Sequence, residues 1–222
     1  MLLLVRHGQA SWGTEDYDAL SAHGARQSRV LGEELARRGH RPDLVVAGGM
    51  RRHRETAREV IAGAGWAADV ETDPGWDELD HRQLLQRHVG TGDAGDPGGT
   101  GDPGDAQRRF EEATLRWTGG AFADEYDEPF PAFCGRVGDA LRRTARRLGS
   151  GQTAVVLTSG GPVSWIAADL LAGGADLWRR LVPVVVNASV TKVVTGRRGT
   201  TLVSFNDHGH LEGPDGGLVT YR

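Results

Sequence analysis

The segment VVLTSGGPVSWI, residues 155–166, passes from a β-branched run through two glycines into a second apolar run. A short, continuous apolar run is typical of a strand that is covered on both faces, as in parallel sheets. LLLV at 2–5 and LVVA at 44–47 have the same character, and the quoted segment extends back as TAVVLT over 153–158. These three runs predict the central strands of a parallel sheet.

Helical patterns alternate with these strands. Ser21 is a candidate N-cap for a helix that carries Leu31 and Leu35 inward and ends near Gly39. Apolar stripes predict two further helices, near 110–117 and 132–148.

The segments PVVVNASVTKVV (183–194) and TTLVSF (200–205) supply the closing strands. Alternation of strands and helices predicts an α/β fold, in which a mostly parallel β-sheet is flanked by helices on both faces.

Composition places the chain among soluble globular proteins. The 222 residues are 38% hydrophobic and 25% charged with a net charge of -4, so nothing favours nucleic acid as a partner. One domain over 1–222 is the simplest organisation, with two small domains as the alternative. Cys134 is alone, which excludes an intrachain disulfide and agrees with a cytoplasmic location. MLLLV is too short for a signal sequence or a membrane span, so no membrane partner is expected.

Two segments contain residue types that could ligate a metal. The stretch 89–105 is dominated by Gly, Asp and Pro and contains GDPG twice, but it lacks the ligand spacing of a calcium loop. A mobile surface loop is therefore expected there. His208 and His210 form an HxH pair without a further ligand cluster. We expect neither a metal nor a cofactor.

The first predicted strand ends in chemistry-bearing residues. Arg6 and His7 follow LLLV, and Gly8 comes next, at the carboxyl end of the strand where α/β sheets bind ligands. A guanidinium is a planar fork suited to phosphate oxygens, and nearby positive charge lowers the pKa of an imidazole. This pairing predicts a neutral, nucleophilic His7 in a phosphate site.

The second predicted strand leads to a cluster of cations. The segment LVVAGGMRRHRETAREV begins a helix whose first turn carries Arg51, Arg52 and Arg54. Cations at a helix N-terminus oppose the helix dipole, so another interaction must favour them. A bound anion would do so; a solvated arginine-rich turn is the alternative.

Taken together, these motifs resemble those of a known family. LVRHGQAS, LSAHGARQ, RRHRETA, WDELD and TSGGP occur in this order over nearly the whole chain. The chain is identified on these motifs as similar to the histidine phosphatase superfamily, also called phosphoglycerate mutase-like. The resemblance implies a mostly parallel sheet with helices on both faces, in agreement with the strand and helix pattern.

The resemblance also implies site residues. His7 matches the histidine that becomes phosphorylated, and Arg6 and Arg52 match two phosphate-binding arginines. Glu78 matches the carboxylate acid/base, although Asp77 and Asp80 are its neighbours and any of the three could be a solvated loop charge.

Ser159 departs from the family pattern. The resemblance implies a second phosphate-binding histidine at this position, and a serine is shorter and neutral. Losing one preorganised donor typically costs about 10²- to 10³-fold in rate. Ser159 and the backbone at Gly160, at the start of a helix, remain as predicted phosphate-binding groups. His81 is the candidate we consider for replacing the missing imidazole.

The function that these expectations favour is hydrolysis of phosphate monoesters through a phosphohistidine, weakened by Ser159. The expected partner is a small phosphorylated metabolite or a phosphoprotein. The alternative from another class is a phosphate- or phosphoprotein-binding module that has lost catalysis. A phosphoglycerate-type mutase is less favoured, because the segment RHGQASWG (6–13) lacks a serine and an asparagine in the register of those enzymes.

No surface pattern predicts the oligomeric state. Aromatic side chains at Trp12, Tyr17, Trp117 and Phe122 are candidates for lining the pocket, with core packing as the expected role of at least half of them.

Overall fold

The structure is a computed structural model of the chain that describes residues 1–11, 18–89, 103–213 and 217–221. Within these residues the sheet has six strands: β1 (Leu2–Arg6), β2 (Leu44–Ala47), β3 (Val70–Thr72), β4 (Ala154–Thr158), β5 (Val190–Gly196) and β6 (Gly199–Asp207). The helices of the same part of the chain are α1 (Ala22–Arg37), α2 (Arg51–Ala64), α3 (His81–Val89), α4 (Pro103–Thr118), α5 (Phe130–Arg146), α6 (Gly160–Leu170) and α7 (Gly174–Leu181).

The sheet is mostly parallel, as predicted. Its strand order is β3-β2-β4-β1-β5-β6. β4 pairs in parallel with both β1 and β2, and β2 pairs in parallel with β3. β5 is antiparallel to β1, and β6 is antiparallel to β5. The carboxyl ends of β1 to β4 therefore lie at one edge, where the chain turns toward helices or loops that can carry a site.

Both faces of the central strands are covered. On one face Leu3, Val45 and Val155 belong to an apolar core together with Leu31 of α1 and Val60 of α2. The alternate residues of the same strands, Leu2, Leu4, Val46 and Val156 among them, are also buried, and α6 packs against β1. Burial on both faces explains why these strands have continuous apolar runs. The predicted fold class is confirmed.

Local signals set the ends of the first helix. The Ser21 hydroxyl accepts a hydrogen bond from the Gly24 N–H at 3.0 Å, which makes Ser21 the N-cap of α1. Gly39 has a φ of +77°, the left-handed conformation that often ends a helix. Gly32 has a different role, because a Cβ there would lie 2.2 Å from the Val60 carbonyl oxygen. Its missing side chain lets α1 lie close against α2.

The first of the two closing strands begins later than the sequence predicts. The sequence pattern predicts a strand from residue 183, but β5 begins only at Val190. Ala188 adopts a φ of +57°, which an extended strand does not allow, and its N–H donates to the Arg6 carbonyl at 3.0 Å. The segment before β5 therefore turns around the end of β1 instead of extending the sheet.

The described residues fall into two compact units. One comprises Met1–Glu78 with Val137–Arg222, and the other comprises Leu79–Arg136. In the second unit α3 packs against α4, and Trp117 is buried with its ring 5.0 Å from that of Phe130. Trp117 is thus a core residue of this unit.

Some predicted features lie wholly or partly outside the described residues. Of the predicted loop over 89–105, residues 90–102 lie outside the described part, and 103–105 belong to the start of α4. Trp12 and Tyr17 also lie outside it. Phe122 is exposed beneath the Arg116 guanidinium, 3.9 Å from its ring centre. In the part of the chain that the structure describes, no helix is long and apolar enough to cross a membrane.

Candidate active site

His7 lies at the end of β1 and is 7% exposed. Its Nδ1 lies 2.7 Å from the Gly8 carbonyl oxygen, which can only accept a hydrogen bond, so Nδ1–H is the donor. Burial is the main cause of a pKa well below the ordinary histidine value, and the positive charges of Arg52 and Arg6 lower it further. The imidazole is therefore neutral, and Nε2 carries a lone pair. The sequence prediction named the charges as the cause, whereas burial contributes more.

Arg6 extends from the same strand end. Its Nη1 donates to the carbonyl oxygens of Val185 and Tyr221, the latter at 2.9 Å. Its Nε lies 3.6 Å from the point where Gly160 would carry a Cβ. Two predicted phosphate-binding residues, Arg6 and Gly160, are thus neighbours.

Arg52 is buried, in contrast to Arg51 and Arg54 beside it. Its exposed fraction is 6%, and its Nη1 donates to Asp18 Oδ1 at 2.7 Å. The other carboxylate oxygen of Asp18 accepts the backbone N–H of Arg51 at 2.7 Å. An internal carboxylate therefore supplies an anion at the N-terminus of α2, where the sequence prediction invoked a bound one. Arg51 itself pairs with Glu55 at 2.6 Å.

Two carboxylates follow a short 3₁₀ turn, Pro74–Trp76, after β3. Glu78 Oε2 accepts a hydrogen bond from the Gly161 N–H at 3.1 Å, at the start of α6. Asp77 Oδ1 accepts from the Gly49 N–H, at the turn between β2 and α2. The two neighbouring acids are therefore held by different segments, and Glu78 is the one at the turn that carries Ser159.

Ser159 stands between β4 and α6 and has no exposed surface. Its Oγ lies 2.7 Å from Nε2 of His53, the third residue of α2. The His53 ring centre is 5.7 Å from that of His7. The imidazole beside Ser159 therefore belongs to His53. His81 lies in α3, in the second unit, with its ring 5.4 Å from Phe110.

The sequence prediction missed His53, although a signal was present. In RRHRETAREV the apolar stripe of the helix runs through Ala57 and Val60, and His53 is four residues before Ala57. Residues at this spacing share a helix face, and all three are buried. A histidine on the buried face of this helix was therefore the signal.

The geometry combines a neutral imidazole, two guanidinium groups and a carboxylate at one edge of a parallel sheet. His7 and Arg6 come from β1, Arg52 from α2, Glu78 from the segment after β3, and Ser159 from the end of β4. Such a set can attack, hold and protonate a phosphate ester.

The low pKa of His7 predicts how stability depends on pH. Because the folded chain binds this proton less readily than the unfolded chain, the free energy of unfolding falls as the pH drops below about 6.5. Each such group contributes a slope of at most about 1.4 kcal/mol per pH unit. In His7→Asn, the slope between about pH 6.5 and 5.5 is expected to decrease by up to this amount. Urea unfolding at several pH values measures it, and equal slopes in both proteins would contradict a buried neutral His7.

Comparison with known proteins gives the family. No curated protein sequence matches the chain. Among solved structures, Bacillus stearothermophilus YhfR is similar with a TM-score of 0.70 and 22% identity, over 95% of this chain and 98% of that one. A phosphoserine phosphatase mutant from Entamoeba histolytica, in complex with phosphoserine, has a TM-score of 0.67 and 17% identity over 95% and 98%. A phosphoglycerate mutase from Bacillus anthracis has a TM-score of 0.69 and 18% identity over 94% and 93%.

These structural likenesses establish the phosphoglycerate mutase-like α/β fold. The sequence also identifies the family, because the family model of the histidine phosphatase superfamily (branch 1) matches residues 2–208. The chain therefore belongs to the histidine phosphatase superfamily, as the motifs around His7 and Arg52 predicted.

Proposed function

We propose that this protein is a phosphatase that hydrolyses phosphate monoesters through a phosphohistidine on His7. The observation that carries the proposal is the state of this imidazole. Its Nδ1–H is held by the Gly8 carbonyl and its pKa is lowered, so Nε2 is left as a neutral nucleophile next to Arg6 and Arg52.

In the first step, His7 Nε2 attacks phosphorus, and the bond from phosphorus to the ester oxygen breaks. Arg6 and Arg52 stabilise the negative charge on the equatorial phosphoryl oxygens. Glu78 enters this step as the carboxylic acid and gives its proton to the leaving oxygen. The alcohol departs, and a phosphorus–nitrogen bond remains on His7.

In the second step, Glu78 is a carboxylate and takes a proton from water as the water oxygen attacks phosphorus. The phosphorus–nitrogen bond breaks, and its electron pair returns to Nε2. Inorganic phosphate leaves, and both His7 and Glu78 regain their starting protonation. The hydrogen bond from the Gly161 N–H supports this role, because it holds the Glu78 carboxylate at the edge of the sheet where β1 ends.

Small phosphorylated metabolites are the proposed substrates, with phosphoproteins as the alternative. Similar solved structures include the phosphoserine phosphatase in complex with phosphoserine and another in complex with 3-phosphoglyceric acid. A putative alpha-ribazole-5'-P phosphatase from Escherichia coli is also similar in fold. We further propose that residues 1–222 work as one histidine phosphatase-like domain, in the cytoplasm.

A screen of phosphate esters tests the proposal. The panel contains p-nitrophenyl phosphate, phosphoserine, 3-phosphoglycerate, alpha-ribazole phosphate and a phosphoserine peptide, and released phosphate is measured over a range of pH. Turnover of at least one ester is expected. Isomerisation of 3-phosphoglycerate without phosphate release would indicate a mutase. Binding of inorganic phosphate with no turnover across the panel would indicate a binding module instead.

A further inference from the structure

His53 is a buried histidine that takes no part in the two proposed steps of ester hydrolysis. It has no exposed surface, and its Nε2 lies 2.7 Å from the Ser159 hydroxyl oxygen. Its ring centre is 5.7 Å from that of His7. A second imidazole is thus present near the first one, but it comes from α2, whereas the family resemblance implies one at position 159.

The Ser159 hydroxyl is available to His53 because another group caps α6. A serine at an N-cap normally accepts a hydrogen bond from the second or third N–H of its helix. Ser159 makes no such bond, and Glu78 Oε2 accepts the Gly161 N–H in its place. The hydroxyl is therefore directed to the imidazole and not to its own helix.

A carboxylate lies on the other side of the His53 ring. Asp77 Oδ1 is 3.7 Å from Nδ1 of His53. A Cβ at Gly48 would lie 2.3 Å from this Nδ1 and 2.7 Å from Asp77 Oδ1. Only glycine lets the backbone pass so close to the pair. Carboxylate, imidazole and hydroxyl thus lie in a chain assembled from three separate parts of the sequence, in which the contact between imidazole and hydroxyl is a hydrogen bond and the 3.7 Å contact with the carboxylate is longer than one.

The charges around His53 oppose one another. Burial is the main cause that lowers its pKa, and Arg52 lowers it as well, whereas Asp77 and Glu78 raise it. His7, another titratable neighbour, is neutral because its own pKa is lowered. A phosphate dianion bound beside His7 would add negative charge to this environment and favour protonation of His53.

Building on the proposed phosphatase function, we propose that His53 is a positioning residue that acts through Ser159 in place of a second phosphate-binding histidine. When the ester binds, His53 takes up one proton from solvent at Nε2 while Asp77 accepts from Nδ1–H. The Nε2–H donates to Ser159 Oγ, and the Ser159 O–H donates to a phosphoryl oxygen. Neither residue forms a bond to phosphorus, and the proton returns to solvent when phosphate leaves.

A double-mutant cycle tests whether the two residues act as one unit. Ser159→Ala and His53→Ala are each expected to lower kcat on p-nitrophenyl phosphate by about 10²- to 10³-fold. The double variant is expected to be no slower than either single variant, whereas independent losses would multiply to about 10⁴- to 10⁶-fold. His210→Ala is the control, since His210 is a partly buried histidine, bonded at 3.1 Å to the Ala188 carbonyl.

The pH dependence separates this role from simple packing. Glutamine at position 53 retains an N–H donor but cannot take up a proton. In His53→Gln the profile of kcat against pH is expected to contain one ionisation fewer than in the wild-type protein, with kcat between those of wild type and His53→Ala. A folded His53→Gln with wild-type kcat and an unchanged profile would overturn the proposal.

Moving the imidazole gives a second, independent measurement. In the exchange variant Ser159→His/His53→Ala the ring is placed at the end of β4, and kcat within about 10-fold of wild type is expected. Ser159→His alone is expected to be poorly active, because both sites are fully buried and the two rings would overlap. An exchange variant as slow as His53→Ala, with wild-type thermal stability, would count against the proposal.

Failure of the proposed function would look different. In that case the wild-type protein itself would turn over no ester, and the variants would be compared by their affinity for inorganic phosphate. Losses of about 10- to 100-fold in Ser159→Ala and His53→Ala, with no further loss in the double variant, would support the hydrogen-bonded chain. Unchanged affinities would overturn it.

Discussion

His7→Ala is expected to lower kcat by about 10⁴- to 10⁶-fold on any phosphate ester that the protein hydrolyses. Alanine leaves the site without an atom that can form the phosphorus–nitrogen bond, whereas Arg6 and Arg52, the arginines proposed to bind the ester, remain. KM is therefore expected to change much less than kcat. Phosphate release under saturating ester, measured with purified wild-type and variant protein, gives both constants.

The intermediate provides a direct check of the same prediction. With p-nitrophenyl phosphate, whose leaving group departs without a proton, Glu78→Gln is expected to slow the second step more than the first, so that phosphohistidine accumulates on the peptide that contains His7. Mass spectrometry after an alkaline quench detects it, because phosphohistidine is labile in acid. His40→Ala serves as the control for loss of a histidine outside the site. Most of the activity surviving in His7→Ala would refute the assignment of the nucleophile.

Trp76→Ala is expected to have the largest effect on stability, about 3 to 5 kcal/mol in the free energy of unfolding. The Trp76 side chain is fully buried, and its Nε1 donates to Thr144 Oγ1 at 3.3 Å. Its carbonyl oxygen also accepts the Thr158 hydroxyl at 2.5 Å, so this residue ties the segment before Glu78 to β4. Alanine leaves a cavity beside the sheet that the surrounding helices cannot fill completely.

Urea unfolding of the variant and of two controls measures this effect. Trp76→Phe keeps most of the buried volume and is expected to lose about 1 to 2 kcal/mol. Trp66→Ala removes a tryptophan that is only partly buried and is expected to lose less than Trp76→Ala. Equal losses in Trp66→Ala and Trp76→Ala would contradict the role of Trp76 as the central packing residue.

The sequence predicted the parts of the fold that depend on local chemistry. β2 covers Leu44–Ala47, the same residues as the predicted run LVVA. The side chains of a continuous apolar run are all buried only in a strand whose two faces are both covered. Ser21 and Gly39 marked the ends of α1 for similar reasons, since a cap hydroxyl and a left-handed glycine act on their own helix. The start of β5 was not predictable in this way, because the turn at Ala188 depends on the end of β1.

The same distinction holds for the candidate site. His7, Arg6, Arg52 and Glu78 could be named from the sequence because each stands in a motif with a characteristic pattern. Their convergence at one sheet edge follows from the parallel pairing of β4 with β1 and β2. Asp18, by contrast, carries no motif, and its contact with Arg52 became evident only in the folded chain.

The segment VVLTSGGPVSWI illustrates both what the sequence determines and what only the tertiary structure decides. By itself it determined a buried strand, a glycine turn and a helix, and it showed that position 159 holds a serine where the family resemblance implies a histidine. The partner of that serine was decided only by tertiary structure, because His53 is 106 residues away along the chain. Packing of α2 against β4 brings the imidazole to the hydroxyl, and no local pattern in the sequence encodes a contact between segments so far apart.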